Sequence, residues 1–244
     1  MKRSFHRITW LAAVLGMLSA GLSSAAPARV VILTGANNHQ WQETTPLLKQ
    51  MLEEGGAMQV DVITDPERLT AEFLADYEVL VSNWNTAGKN NNPPPWSEEL
   101  KKNYVEFVRN GGGHVVVHGG SSSFNEWEDY LAIGLATWKP GQTRHKQAHA
   151  FELRVVDTKH PVTQGVERQL ITDELWYNAK VHSGAKVLAE SFSKTTEQWE
   201  PSVLVGTFGQ GRCFTILLGH DAEKMNQDAF RKFLKQGTGW AASL

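Results

Sequence analysis

Residues 111–123 read Gly-Gly-Gly-His-Val-Val-Val-His-Gly-Gly-Ser-Ser-Ser, and this stretch decides the fold class of the chain. Its centre is a short apolar run that follows three glycines and precedes small residues. The pattern predicts a buried parallel strand and the turn after it. His118 stands where the strand ends, and open parallel sheets bind ligands beyond the carboxyl ends of their strands. The stretch therefore predicts a functional histidine at one end of a sheet.

Strand and helix patterns alternate in the first half of the chain. Strand patterns cover residues 29–34, 58–63 and 77–82. The predicted helices begin at Thr44 or Thr45, at Pro66, at Ser97 and at Phe124. Strands that alternate with helices form βαβ units, so we expect a parallel sheet with right-handed crossovers.

The second half of the chain lacks this alternation. Residues 150–156 alternate apolar and polar side chains, which predicts a half-exposed, edge or antiparallel strand. Further strand patterns cover residues 185–191, 202–208 and 212–218, and the last two are joined by a tight hairpin. We therefore predict an α/β fold whose central sheet is mainly parallel, with antiparallel additions in the C-terminal half.

Composition excludes several classes of protein. The 244 residues carry a formal net charge of −2 and no basic block, so nucleic acid is not an expected partner. Cys213 is the only cysteine, which excludes an intramolecular disulfide and a thiolate metal site. Residues 26–244 are expected to form a single domain.

Residues 1–25 are typical of a secretory signal peptide. A basic start precedes the largely apolar residues 8–22, and Ser23-Ser24-Ala25-Ala26 offers small residues for cleavage. The apolar run is shorter than the about 20 residues of a membrane-spanning helix. We expect cleavage after Ala25, a periplasmic or secreted protein, and no membrane association after cleavage. An exported chain without disulfides is typical of a bacterial periplasm.

Polar residues follow several predicted strands. They are Asn38 and His39 after the first strand, Asn83 and Trp84 after the third, His118 after the fourth, and His220 and Asp221 after the last. Because parallel strands point the same way, these residues are expected to share one end of the sheet. Their convergence predicts a binding or catalytic site.

Nucleophilic catalysis at this end of the sheet would use Ser121, with His220 as base and Asp221 or Glu174 as orienting group. The residues around Ser121 differ from a nucleophile elbow, which disfavours a covalent mechanism.

A metal site would draw on histidines and carboxylates. His145 and His149 are four residues apart and would lie on one face of a helix. They could join His118 and His220, and a divalent ion such as zinc is the candidate cofactor. Hydrogen bonding of a polar ligand by the same histidines is the alternative.

Acid–base chemistry on a sugar would need a histidine or carboxylate beside an aromatic surface. Asp173-Glu174 comes just before Trp176-Tyr177, and further aromatic surfaces could come from Trp41, Trp84 and Trp127.

Several motifs resemble one known family, in order along nearly the whole mature chain. They are Thr34-Gly35-Ala36-Asn37-Asn38-His39-Gln40-Trp41, residues 111–118 with Phe124 and Trp127, His160-Pro161-Val162-Thr163-Gln164-Gly165, Asp173-Glu174-Leu175-Trp176, Gly209-Gln210-Gly211-Arg212-Cys213-Phe214, Leu218-Gly219-His220-Asp221 and Gly239-Trp240-Ala241-Ala242. Together they resemble the ThuA-like (trehalose utilization) family, although tyrosine is commoner there at position 176.

The resemblance implies a three-layer, flavodoxin-like fold of the class I glutamine amidotransferase type and a role in sugar metabolism. Glutamine hydrolysis is not expected, because the family lacks the amidotransferase cysteine and His118 occupies its region here. Residues carried over by the motifs are His39, His118, Asp173, Glu174, His220 and Asp221, with His145 and His149 matching a histidine-rich stretch of exported relatives.

We therefore predict an exported enzyme that acts on a sugar or 3-keto glycoside, by lyase, isomerase or hydrolase chemistry. The predicted catalytic residues are His118, His220, Glu174, Asp221 and His39. The predicted substrate-binding residues are Asn38, Trp41, Asn83, Trp84, Ser121, Trp127 and Asp173. The alternative is a non-catalytic periplasmic sugar-binding protein.

Overall fold

The structure is a computed structural model that describes residues 26–88, 91 and 93–244. The predicted signal peptide, residues 1–25, lies outside the described residues. Strands β1 to β13 span Ala28–Leu33, Met58–Ile63, Val79–Ser82, Gly113–Val117, Ala136–Thr137, Arg144–His145, His149–Val155, Gln169–Asp173, Trp176–Tyr177, Lys180–Val181, Lys186–Ser193, Gln198–Phe208 and Gly211–Ile216. Helices α1 to α6 span Trp41–Glu53, Ala71–Leu74, Glu98–Arg109, Glu128–Gly134, Ala222–Met225 and Asp228–Ala241. Short 3₁₀ segments cover Pro66–Arg68, His118–Ser122 and Pro161–Thr163.

A nine-stranded sheet in the order β2-β1-β3-β4-β13-β12-β11-β7-β8 organises the molecule. Its first five strands pair in parallel, and every pairing from β13 to β8 is antiparallel. The predicted parallel sheet with antiparallel C-terminal additions is thereby confirmed.

Helices cover both faces of the parallel part of the sheet. Val30 and Ile32 of β1 belong to the core that includes residues of α1 and α6. Val31 and Leu33 belong to the core that includes residues of α3 and α4. A strand segment buried on both faces needs apolar residues, which explains the apolar runs at residues 30–33 of β1 and 115–117 of β4. The result is the expected three-layer α/β sandwich.

Helix α1 begins earlier than the sequence predicts. It starts at Trp41, and the expected caps Thr44 and Thr45 lie inside it and are buried. Their hydroxyls tie the helix to the sheet instead, since Thr45 contacts Thr34 at 2.8 Å and both threonines accept hydrogen bonds from Asn83. A buried polar partner thus replaces the capping role.

Other boundaries also differ from the prediction. The helix expected from Pro66 is a 3₁₀ turn followed by the four-residue α2, and α4 begins at Glu128 rather than Phe124. Strand β7 is antiparallel, as predicted, but lies one strand inside the sheet edge because the unpredicted β8 pairs outside it. Across the described residues, the helices are too short or too polar to cross a lipid bilayer.

Candidate functional site

A cavity of about 600 Å³ opens at the carboxyl end of the parallel strands. It is lined by Asn38, His39, Gln40, Ala87, Ser122, Trp138, His145, Glu174, Trp176, His220 and Asp221. Its position is the one that open parallel sheets use for ligands, and its volume is within the range of small-molecule sites.

Four side chains meet at this cavity: His39, His118, Glu174 and His220. We call them the histidine–glutamate cluster. One nitrogen or oxygen of each lies within 4.8 Å of the others. The three imidazole rings meet edge to face, with centroids 4.8 to 5.4 Å apart. The cluster therefore gathers three imidazole nitrogens and one carboxylate oxygen in one small region.

His118 begins the turn after β4 in a left-handed conformation, with φ of 35°. It is buried, and Nδ1 donates a hydrogen bond to the carbonyl of Leu217 at 2.7 Å. Nε2 is therefore the nitrogen that faces the cluster, and within the described residues it has no hydrogen-bond partner. It lies 3.6 Å from Oε1 of Glu174. This approach to a carboxylate is favourable only with a proton on Nε2 or a cation between the two atoms.

His39 is oriented by the side chain of Asn37. The Asn37 amide nitrogen donates to the carbonyl of Asn83, so its oxygen must face the main-chain N–H of His39, at 2.9 Å. The same oxygen lies 2.9 Å from Nδ1 of His39 and accepts a further hydrogen bond from Asn85. Nδ1 is therefore the protonated nitrogen, and Nε2 is left with its lone pair. Burial, with the nearby His118 and His220, lowers the pKa of His39 to about 3.

Glu174 is the anion of the cluster. It is buried, and Oε1 accepts a hydrogen bond from the indole of Trp176 at 3.0 Å. Burial acts to raise its pKa, but the contacts with His118 and His220 outweigh burial and hold the pKa below the ordinary value. Nδ1 of His145 lies 2.8 Å from Oε2. Glu174 thus stays ionised while four rings surround it.

Asp173 holds the loop that carries His220. It accepts hydrogen bonds from the main-chain N–H groups of Gly219 and His220, at 2.7 and 3.2 Å, and from that of Glu174 at 2.8 Å. Burial raises the pKa of Asp173. His220 lies 3.3 Å from Glu174, and this contact raises the pKa of His220. The end of β8 is thereby joined to the segment after β13, although three strands separate them in the sheet.

Gly119 makes the close approach of His39 possible. A Cβ atom there would lie 2.6 Å from Nδ1 of His39 and 2.9 Å from Nδ2 of Asn85, far inside contact distance. Only glycine allows the backbone and both side chains to share this space.

The cluster has the donors of a divalent metal site. His39 and His118 direct Nε2 toward the cluster, each with Nδ1 bound to an oxygen, which is how metal-binding histidines are oriented. The orphaned, buried Nε2 of His118 is consistent with a ligand at this point. Three imidazoles and one carboxylate match the preferences of zinc and related ions.

The structure brings some predicted residues to the cavity and not others. Asp173 holds the loop that carries His220. The predicted residues that line the cavity or belong to the cluster are His39, His118, Glu174, His220, Asp221, Asn38 and His145. His145 and His149 lie on strands β6 and β7, not on one helical face, because this segment forms short antiparallel pairs. The ring of His149 contacts Gln147 and Phe151 instead of the cluster.

The remaining predicted substrate-binding residues do not line the cavity. Trp84 is buried against Trp96, and Trp127 stacks on Tyr130. Asn83 and Ser121 are buried, and Trp41 starts α1. The apolar rings complete the core beside α3 and α4, where their burial is favourable. Ser121, the candidate nucleophile, does not line the cavity, whereas its neighbour Ser122 does.

Sequence reasoning missed Trp138, Gln40, Ser122 and the asparagines that orient His39. Trp138 lies in an irregular connection, where no periodicity marks an inward side. Asn37 precedes His39 by two residues, and the tendency of asparagine to bond a backbone N–H two residues on could have identified it.

Comparison with known proteins shows which family the chain matches. A family model described as ThuA: Trehalose utilisation matches residues 29–241. A ThuA-like protein from Parabacteroides merdae shares 26% identity at a TM-score of 0.78, over 89% of this chain and 90% of that one. A ThuA-like protein from Bacteroides uniformis shares 17% identity at a TM-score of 0.68, over 89% and 93%.

More distant structures share the fold alone. A β-galactosidase from Rahnella sp. R3 is 16% identical at a TM-score of 0.58, and the likeness covers 90% of this chain but 32% of that enzyme. A sequence comparison with curated proteins gives no significant match. The family match spans nearly the whole described chain, and the chain belongs to the ThuA family of trehalose utilisation, which implies a role in carbohydrate metabolism.

Proposed function

We propose that this protein is an exported enzyme that acts on a keto sugar or keto glycoside by metal-assisted acid–base chemistry. The observation that carries the proposal is the convergence of three histidines and one glutamate, within 4.8 Å, at a polar cavity. Membership of the ThuA family directs the substrate class to carbohydrates. Glutamine hydrolysis is disfavoured, since the one cysteine, Cys213, is buried in β13.

The cluster has room for positive charge between its polar atoms. Nε2 of His118 lies 3.6 Å from the Glu174 carboxylate, and His39, whose Nδ1 is bound to Asn37, directs the lone pair of its Nε2 toward the cluster. A divalent ion such as zinc, held by His39, His118, Glu174 and His220, would supply positive charge beside the oxygen of an enediolate. A binding protein for neutral sugars has no need of such a buried set, which favours the enzyme over the alternative.

His145, which lies beside the cluster, can act as the base that accepts the substrate proton. When a proton leaves the carbon beside a ketone, a base must accept it, and His145 lies in the cavity outside the set of four. Its Nδ1 is 2.8 Å from Glu174, which orients the ring, and its side chain is 43% exposed, which opens a route to solvent. Return of the proton to the neighbouring carbon gives an isomerase, whereas loss of a leaving group gives a lyase.

Deuterium exchange tests the chemistry. We expect the wild-type protein to introduce deuterium from D₂O beside the carbonyl of a 3-keto glycoside, followed by NMR. His145→Ala should slow the exchange by about 10²-fold or more, while His149→Ala, four residues away and outside the cavity, should not change it. No exchange and no turnover by the wild-type protein would leave the sugar-binding alternative.

Metal analysis tests the ligand set. We expect about one divalent ion per chain after purification without chelator, and loss of exchange activity with a chelator that zinc restores. Absence of bound metal together with chelator-independent exchange would contradict the metal and leave acid–base chemistry by the histidines. Export is tested by N-terminal sequencing of the protein from the periplasmic fraction, where a start at Ala26 is expected.

A further inference from the structure

Trp138 stands at the cavity without a role in the cluster. It follows β5, and its main-chain N–H donates to the carbonyl of Ser121 at 2.8 Å, which fixes the backbone. Its ring meets those of His145 and Trp176 edge to face, with centroids 5.5 and 5.2 Å away. The ring is only partly buried, and it lines the cavity. Two neighbouring rings thus hold a partly exposed indole in one orientation.

Trp176 lies between Trp138 and the cluster. Its ring centroid is 4.9 Å from that of His118 and 5.2 Å from that of Trp138. Trp176 itself is 3% exposed, and its N–H is taken by Glu174. It therefore separates Trp138 from the cluster by one ring, and His145, the proposed base, contacts both Trp138 and Glu174. If one sugar ring binds at the cluster, the next unit of the ligand would lie against Trp138.

The polar residues that line the cavity with Trp138 indicate the chemistry of that ligand. Asn38, Gln40, Ser122 and Asp221 offer amide, hydroxyl and carboxylate groups to the cavity. Hydroxyl groups pair with amides and carboxylates. The described lining is therefore suited to a ligand with many hydroxyls.

We propose that Trp138 is a specificity-determining residue that stacks on the unit next to the reacting sugar, so that the site selects two-unit glycosides over single sugars. This inference rests on the proposed function for the position of the reacting ring. An aromatic face covers the apolar C–H face of a pyranose, while the hydroxyls at its rim remain free for the polar residues.

Calorimetric titration of the full chain measures how much the second sugar unit adds to the binding affinity. The probes are trehalose, maltose and cellobiose as two-unit ligands, and glucose as the single unit. We expect at least one disaccharide to bind the wild-type protein about tenfold more tightly than glucose. Trp138→Ala should abolish that preference, and Trp138→Phe should keep most of it.

Trp199→Ala is the matched control. Trp199 is a partly exposed residue of β12. It packs against Arg154 of β7, away from the cavity. This variant should keep the wild-type preference, and thermal unfolding of each variant checks its fold. Equal binding of glucose and all three disaccharides by the wild-type protein would overturn the inference, and so would an unchanged preference in a folded Trp138→Ala variant.

The probes carry no ketone, so these titrations do not depend on turnover. A protein that shows the preference but no deuterium exchange loses the proposed chemistry and keeps the role of Trp138. A protein that exchanges deuterium and binds one and two units equally keeps the chemistry and loses that role.

Discussion

Nδ1 of His118 donates a hydrogen bond to the carbonyl of Leu217 at 2.7 Å, although 99 residues separate the two in sequence. A carbonyl oxygen can only accept, so the residue that follows β13 decides that Nδ1 carries a proton. Nε2 is thereby directed at Glu174, 3.6 Å away. The orientation of His118 is set by the segment after the neighbouring parallel strand and not by residues near it in the chain.

Gly119→Ala should disrupt the cluster without touching a ligand atom. The new Cβ would lie 2.6 Å from Nδ1 of His39, so the ring must move. We expect zinc affinity to fall about 10- to 100-fold, the range for loss of a group that orients a ligand, measured by competition with a chromogenic chelator. The control is Gly239→Ala in α6, where the nearest atom, Cε of Met58, lies at 3.5 Å. Equal affinities of the two variants would contradict the role of Gly119.

Asp173→Ala should destabilise the protein. It would leave the N–H groups of Gly219, His220 and Glu174 without an acceptor in a buried place. We expect the free energy of unfolding to drop by about 2–4 kcal/mol, measured by urea denaturation at pH 7. Asp173→Asn keeps one acceptor oxygen and should lose less. The same loss in both variants would show that the hydrogen bonds are not the cause.

Stability should fall with acid partly through His114. This residue is buried on β4 with its ring against Tyr104, and burial lowers its pKa to about 3. Below pH 6.5, the ordinary pKa of a histidine, His114 binds a proton in the unfolded chain but not in the folded chain, so the unfolded state is favoured. Above that pH the residue is neutral in both states and has no effect. The expected slope is at most about 1.4 kcal/mol per pH unit between pH 6.5 and 3.

His114→Gln tests that slope, because glutamine can bond the Tyr104 hydroxyl and does not titrate. Denaturation between pH 7.5 and 4 should show a smaller loss of stability in this variant than in the wild-type protein. His182→Gln, at a partly exposed position, is the control and should follow the wild-type curve. Parallel curves for the wild-type protein and His114→Gln would contradict the assignment.

Cys213 should be inert in the folded protein. It is fully buried on β13, and burial raises the pKa of its thiol to about 12. We expect no reaction with a chromogenic disulfide reagent at pH 8 under native conditions, and one thiol per chain in guanidinium. Rapid reaction of the native protein would show that this part of the sheet opens.

The sequence alone was sufficient for the architecture of the first half. Apolar runs predict β1, β3 and β4 as buried parallel strands, because burial on both faces requires apolar residues, and an alternating pattern predicts β2, which lies half exposed at the sheet edge. The same logic placed His118 at the carboxyl end of β4 and grouped it with His39 and His220. Chain direction in a parallel sheet is enough for that inference.

Tertiary structure decided what the local pattern does not contain. Trp84 follows a predicted strand and Trp127 lies in a predicted helix, but both pack in the core beside α3. Trp138 lies in an irregular connection and lines the cavity. Glu174 reaches the cluster only because β8 returns to the segment after β13. Side-chain tautomers also depend on distant partners such as Leu217. Periodicity reports which face of an element is buried, whereas a site is assembled from contacts between segments far apart in the chain, and those contacts exist only once the sheet has folded.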